Sequence, residues 1–136
     1  MKKIVLLICI IILYSCTNNE KVNANNTFNP PLWIQGTWGN KVTDINIQQG
    51  LFKFTTDDFI LITLNIERSQ KDQIEQSKKL GTNVIVTEEI TSSIYNLTIK
   101  TTSLSGSITT IYKFKKVDAT HISTDFSGFT TVLDKL

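Results

Sequence analysis

The sequence predicts an antiparallel all-β domain, on the basis of composition, alternation and turn spacing. The 136 residues include 19 Thr and 19 Ile but only two Ala, at positions 24 and 119. Side chains branched at Cβ suit the pleated surface of a sheet, whereas Ala is the strongest helix former. Short alternating segments recur between turn signals, which is typical of hairpins and not of βαβ units. Such strands must hide their edges by closing into a barrel or by stacking as a sandwich.

About eight strands are predicted from the alternation and from the turns between them. They cover residues 38–47, 51–55, 59–66, 82–91, 93–101, 107–116, 121–125 and 129–133. Turns are predicted at residues 48–50, 56–58, 103–106 and 117–119, and the fourth and fifth strands are predicted to meet near Glu88 and Glu89.

Residues 67–80 break the strand pattern because they are polar and contain only two apolar side chains of any bulk, Ile74 and Leu80. Ser69 precedes Asp72 by three residues, as in a capping box, and Gly81 follows as a possible C-cap. These signals favour one short helix over residues 69–80. An extended loop of solvated charges is the alternative interpretation.

The first sixteen residues resemble the signal of a bacterial lipoprotein. Lys2 and Lys3 precede an apolar run, and Leu13-Tyr14-Ser15-Cys16 resembles a lipobox. About ten apolar residues extend only about 15 Å as a helix, half the hydrocarbon thickness, which argues against an uncleaved membrane anchor. An ordinary secretory signal would end in small residues of the A-x-A type. The resemblance implies that residues 1–15 are removed and that Cys16 is acylated, for example with palmitate.

The remaining chain is predicted to consist of a flexible tether over residues 16–31 and one domain over residues 32–136. The tether is rich in Asn and ends at Pro30 and Pro31. Without residues 1–15, 12 basic residues balance 12 acidic ones, which excludes the basic footprint of a nucleic-acid-binding protein. Because Thr17 stands where an inner-membrane retention signal has Asp, the resemblance implies an outer-membrane location in the cell envelope.

The segment Trp33-Ile34-Gln35-Gly36-Thr37-Trp38-Gly39 carries a second resemblance. Its G-x-W triplet, Gly36 and Trp38, resembles the signature at the first strand of lipocalin-like barrels, in the W-x-x-G-x-W form found in small Bacteroidetes-type lipoproteins. The resemblance implies a small up-and-down β-barrel in which Trp38 packs across the closed end. A basic residue of the last strands stacks on this tryptophan in many lipocalins, and Lys113, Lys115 and Lys135 are all candidates.

The lipocalin-like resemblance also implies a ligand site inside the barrel. Its walls would come from eight inward-facing side chains, Phe52, Phe54, Phe59, Leu61, Tyr95, Leu97, Tyr112 and Phe114. The expected ligand is a small lipophilic molecule. The same side chains could instead fill the interior, which would favour a protein-binding module such as an envelope inhibitor or an accessory subunit, with Trp33 as a candidate contact residue. A structural envelope component without a soluble ligand is the third interpretation.

Catalytic chemistry is not expected from this sequence. His121, Ser123 and Asp125 would lie about 6 to 7 Å apart along a strand, too far for a nucleophile and its base. Once Cys9 is removed with the signal and Cys16 is acylated, no free thiol remains, and no zinc, calcium or phosphate-binding motif is present. We therefore expect neither enzyme activity nor a metal or other cofactor.

Overall fold

A computed structural model describes residues 21–24, 27–42, 47–126 and 129–136. The predicted signal peptide, residues 1–15, and the predicted lipidation at Cys16 lie outside the described residues. The described residues form ten strands and one helix. These are β1 (Lys21–Ala24), β2 (Gly36–Val42), β3 (Ile47–Phe54), β4 (Phe59–Thr63), β5 (Ile66–Ser69), α1 (Gln70–Lys79), β6 (Asn83–Ile90), β7 (Ile94–Ser103), β8 (Gly106–Lys116), β9 (His121–Phe126) and β10 (Phe129–Lys135).

The strands form one antiparallel sheet in the order β1-β6-β7-β8-β9-β10-β2-β3-β4-β5. Strands β2 to β10 follow one another as a meander, except that α1 stands between β5 and β6. The sheet curls because its first long strand, β2, pairs with its last, β10, through Asp134 with Gly39 and Lys135 with Trp38. A seam is left between β5 and the other edge of the sheet, which consists of β1 and the first residues of β6. The predicted all-β, barrel-like fold is thus confirmed, as a single curled sheet and not as a two-sheet sandwich.

Antiparallel pairing places alternate turns at opposite ends of the curled sheet. The closed end contains the turns at residues 55–58, 91–93 and 117–120, together with the segment of residues 28–35 that precedes β2. The open end contains the turns at residues 64–65, 80–82 and 104–105. The buried side chains Phe28, Ile34 and Trp38 lie at or next to the closed end.

One predicted turn and one predicted strand were wrong, because a bulge and a tight turn without glycine are not visible in the alternation of the sequence. The register of β2 and β3 steps from Trp38 opposite Phe52 to Gly39 opposite Gly50, so Leu51 is an extra residue in a bulge, and residues 48–50 belong to β3. The apolar run of residues 59–66 is not one strand. Leu64 and Asn65 form a tight turn with φ of 52° and 63°, a conformation that a leucine rarely adopts.

The turn predicted near Glu88 lies further along the chain, at residues 91–93. Strand β6 continues to Ile90, and the Thr91 hydroxyl then accepts hydrogen bonds from the N–H groups of Ser93 and Ile94, at 3.2 and 2.8 Å. A threonine that bonds its own backbone in this way makes a turn without Gly or Pro. Glu88 therefore lies within a central strand.

The segment of residues 67–80 contains a helix, as its capping signals predicted. The N–H of Asp72 donates to the Ser69 hydroxyl at 3.0 Å, which caps the first turn of α1. Gly81 has φ of 82° and donates its N–H to the carbonyl of Lys78, which ends the helix. Helix α1 contacts β4, β5 and β6 and buries Gln70 and Ile74, so it lies along the seam.

Part of the predicted tether belongs to the folded domain. Strand β1 pairs with β6, Lys21 opposite Ile90 and Ala24 opposite Thr87. Phe28, also within the predicted tether, is buried in the core. The domain boundary predicted at residue 32 is therefore too late. The Asn-rich composition of this segment indicated a tether, although the segment contains one short strand and one buried phenylalanine.

Candidate functional site

Trp38 is buried near the closed end of the curled sheet, and we call this residue and the residues that contact it the floor. Its side chain is fully buried, and its indole N–H donates a 2.6 Å hydrogen bond to the carbonyl of Ile34. Ile34 lies in a turn of residues 32–34, closed by a bond from its own N–H to the Pro31 carbonyl, and is itself fully buried. The indole is thus both packed and satisfied, as a buried tryptophan requires.

Gly36 and Lys135 complete the floor. The Lys135 ammonium lies 5.4 Å from the centroid of the Trp38 ring, within the range of a cation–π contact. Gly36 has φ of 124°, and a Cβ at this position would lie 2.9 Å from Cε of Lys135. The glycine therefore leaves room for the lysine side chain to reach the tryptophan. Of the three lysines that the sequence left open, Lys135 is the one that contacts Trp38.

A buried carboxylate, Glu88, fastens residues 28–35 to the closed end. Only 1% of its surface is exposed, and its oxygens accept bonds from the Tyr95 hydroxyl at 2.6 Å and from the backbone and side-chain nitrogens of Asn29 at 2.8 and 3.3 Å. Burial raises the pKa of Tyr95, and the neighbouring charge of Glu88 raises it further. Sequence reasoning placed Glu88 in a turn or on the surface, although it shares the strand face of Val84 and Val86.

Six of the eight predicted ligand-lining residues form one aromatic cluster inside the sheet. The centroids of contacting rings lie 4.9 to 6.3 Å apart, mostly in edge-to-face or stacked geometry. The cluster consists of Phe52, Phe54, Phe59, Tyr95, Tyr112 and Phe114. Leu97, another predicted lining residue, is fully buried in the same core. Much of the predicted lining thus fills the interior.

A cavity of about 400 Å³ remains beside this cluster. Three predicted residues line it, Phe52, Leu61 and Tyr112. The predicted residues Phe54, Phe59, Tyr95, Leu97 and Phe114 do not line this cavity. Sequence reasoning missed its other lining residues, which are Leu51, Ile62, Thr63, Thr124, Thr131 and Leu133. The alternation of β9 and β10 is a signal for Thr124, Thr131 and Leu133, because it places them on the inner face of the sheet. Threonines as well as apolar residues therefore have to be counted as candidates for the cavity wall.

The His121 ring contacts two aspartates, and neither of them is Asp125. Its Nδ1 lies 2.8 Å from Oδ2 of Asp118, and its Nε2 lies 3.3 Å from Oδ1 of Asp134. The Ser123 hydroxyl is 3.5 Å from the carbonyl of Lys115. Backbone hydrogen bonding from Thr120, followed by the His121 side chain, lowers the pKa of Asp118 to about 2. This arrangement joins the β8–β9 turn to β10 on the surface.

Trp33 is half-buried against the core, and its indole N–H donates to the Thr91 carbonyl at 3.2 Å. It is therefore part of the cap on the closed end. No protein-family model, curated protein or solved structure matches this chain. Within the described ranges, no helix has the length and apolar character to cross a bilayer, and no cluster of three or more potential metal ligands occurs.

Proposed function

We propose that this chain is a lipid-anchored protein of the bacterial cell envelope whose curled sheet binds a small lipophilic molecule. The cavity of about 400 Å³ carries the proposal. Ligand pockets typically enclose about 300 to 1,000 Å³ and combine apolar walls with a few polar groups. Leucine, isoleucine and phenylalanine side chains supply most of these walls, and the polar groups are the hydroxyls of Thr63, Tyr112, Thr124 and Thr131.

The floor of the sheet supports the lipocalin-like interpretation. Trp38 closes one end, Gly36 gives access to it, and Lys135 of the last strand lies over its ring. These are the positions that the resemblance implies for the signature tryptophan, its glycine and its basic partner. A ligand in the larger cavity lies against residues of β3, β4, β8, β9 and β10, beside the aromatic cluster.

The start of β1 supports a definite orientation on the membrane. Four residues lie between Cys16 and Lys21, and the five Cα-to-Cα steps of a fully extended chain span at most about 18 Å. Lys21 pairs with Ile90, the last residue of β6, which lies at the closed end. A lipid on Cys16 therefore holds the closed end towards the bilayer, and the open end faces away from it.

The anchor is tested by replacing Cys16 with Ser in cells and fractionating their membranes. We expect the wild-type protein in the membrane fraction, with a mass increase from acylation, and the variant without that increase and released from the membrane. Unchanged membrane association of the variant would contradict the proposed lipid anchor.

The cavity is tested with the fluorescent probe N-phenyl-1-naphthylamine and full-length protein in nanodiscs, with empty nanodiscs as the blank. Thr131→Trp places a bulky side chain against the cavity, whereas Val132→Trp places the same side chain on the opposite face of β10, where Val132 is 54% exposed. We expect saturable binding to the wild type and to Val132→Trp and its loss in Thr131→Trp. Equal binding to both variants would refute this site.

A protein-binding role is the second candidate, and the open end favours it. The turn residues Leu64, Leu80 and Leu104 are each more than four-fifths exposed there. These three leucines give one end of the domain apolar side chains that a partner protein can contact. A photo-cross-linking residue at position 104 would capture such a partner in intact envelopes, and the same residue at Ile111, on the outer face of β8, would not. Equal labelling from both positions would exclude a specific contact at the tips.

A further inference from the structure

A second cavity, of about 150 Å³, lies between α1 and the inner face of β6, β7 and β8. Its apolar walls are few, Ile74 from the helix with Val84 and Ile99 from the sheet. The other lining side chains carry uncharged groups that donate and accept hydrogen bonds. They are Gln70, Gln73, Ser77, Thr101, Thr110 and Tyr112.

The two cavities share one lining residue, Tyr112. One edge of its ring packs against Phe59, with the centroids 4.9 Å apart and the planes at 70°. Burial raises the pKa of Tyr112, so its hydroxyl remains protonated and can donate a hydrogen bond at neutral pH. The side chain thus stands at the boundary between an apolar compartment and a polar one.

We infer that the two cavities form one site for an uncharged amphiphile, with its apolar tail in the larger cavity and a small hydroxyl- or amide-bearing head group beneath α1. This inference rests on the proposed lipophilic-ligand function and specifies the class of ligand. Amide and hydroxyl side chains can satisfy such a head group in either hydrogen-bonding direction. A wholly apolar ligand would make none of these hydrogen bonds.

The absence of charged side chains from the described lining of both cavities disfavours an ionised head group. Among the described residues, none that lines either cavity is charged. An ionised carboxylate or phosphate moved into this compartment would lose its hydration without gaining a counter-ion, which is strongly unfavourable. The nearest basic residues of α1, Lys71, Lys78 and Lys79, do not line the polar cavity. A fatty acid in its ionised form is therefore expected to bind more weakly than its neutral glycerol ester.

Helix α1 forms one wall of the polar compartment, and its lining residue Gln73 is exposed to solvent. Only Gln70 and Ile74 of α1 are buried, and the helix covers the seam where β5 and β6 are not paired with each other. A head group beneath α1 is thus held between the helix and the sheet at the point where the sheet is interrupted.

The experiment compares three ligands with the same chain length, 1-decanoylglycerol, decanoate and decane, on full-length protein in nanodiscs by isothermal titration calorimetry. Empty nanodiscs serve as the blank, and the pH is 8 so that decanoate is ionised. Gln73→Leu removes one polar lining group. Gln76→Leu is the matched control, because Gln76 lies on the same helix, is exposed and does not line the cavity.

We expect 1-decanoylglycerol to bind most tightly and Gln73→Leu to weaken its binding about two- to tenfold, as the loss of one hydrogen bond predicts, with Gln76→Leu unchanged. Ser77→Ala gives a second reading if Gln73→Leu does not fold. If decane and N-phenyl-1-naphthylamine bind while the head group and Gln73→Leu have no effect, this inference is overturned and the proposed function stands. If no ligand or probe binds the wild type, both fail.

Discussion

Replacing Gly36 with Ala tests whether the floor of the sheet is assembled as the contacts indicate. The change adds one methyl group at a residue with φ of 124°, where an L side chain is strained by about 1 to 3 kcal/mol. The new Cβ would lie 2.9 Å from Cε of Lys135, so the lysine has to move away from Trp38. The cation–π contact that is then lost contributes about 0.5 to 2 kcal/mol. Together these effects predict a loss of about 1.5 to 5 kcal/mol in the free energy of unfolding.

A second glycine separates the two contributions. Gly106 has φ of 135°, similar to that of Gly36, but a Cβ there would meet nothing within 4 Å. Gly106→Ala should therefore show only the backbone contribution. In a Lys135→Ala background, Gly36→Ala should also show only that contribution, so the double-mutant cycle should give a coupling of about 0.5 to 2 kcal/mol.

The assay is equilibrium unfolding in urea, followed by tryptophan fluorescence, with the slope compared between variants to check two-state behaviour. The reasoning would be refuted if Gly36→Ala changed stability no more than Gly106→Ala does. It would also be refuted if the effects of Gly36→Ala and Lys135→Ala were additive, because the two residues would then not share one contact.

Three further predictions follow from buried and charged groups. Trp38→Ala should lower stability by about 3 to 5 kcal/mol in urea, and Trp33→Ala by clearly less because its ring is only half-buried. Tyr95→Phe should cost about 1 to 3 kcal/mol, since it removes one donor from the buried Glu88 carboxylate; no loss would contradict that bond. The Asp118 pKa of about 2 lies below its ordinary 3.8, so its stabilisation is present above about pH 4 and lost as the pH falls towards 2. Asp118→Asn should flatten that part of the unfolding profile between pH 2 and 5.

The sequence was sufficient for those parts of the fold that local chemistry determines. Abundant Thr and Ile indicated strands, and the Ser69 cap with Gly81 indicated a short helix between them. The alternation of β8 also indicated that Tyr112 and Phe114 share one face. All of these features are determined by residues within a few positions of one another in the chain.

The parts that could not be predicted depend on residues distant in sequence or on unusual backbone conformations. Leu64 lies in a left-handed turn, and a leucine in the sequence does not indicate such a turn. Strand β1 forms by pairing with the edge of β6, which is distant from it in sequence. Which lysine covers Trp38 depends on the pairing of β10 with β2. The division of the aromatic side chains between filling and lining the interior depends on packing, which alternation along one strand does not report.

The pairing of β2 with β10 has a consequence for how the chain folds. Among the described residues, two pairs join these strands, Lys135 with Trp38 and Asp134 with Gly39, together with a bond from the N–H of Leu136 to the carbonyl of Thr37. Contacts this distant in sequence form late and slowly. During synthesis the floor therefore cannot be completed until residues 134–136 have left the ribosome. Until then Lys135 does not cover Trp38, and the edge of β2 that pairs with β10 has no partner.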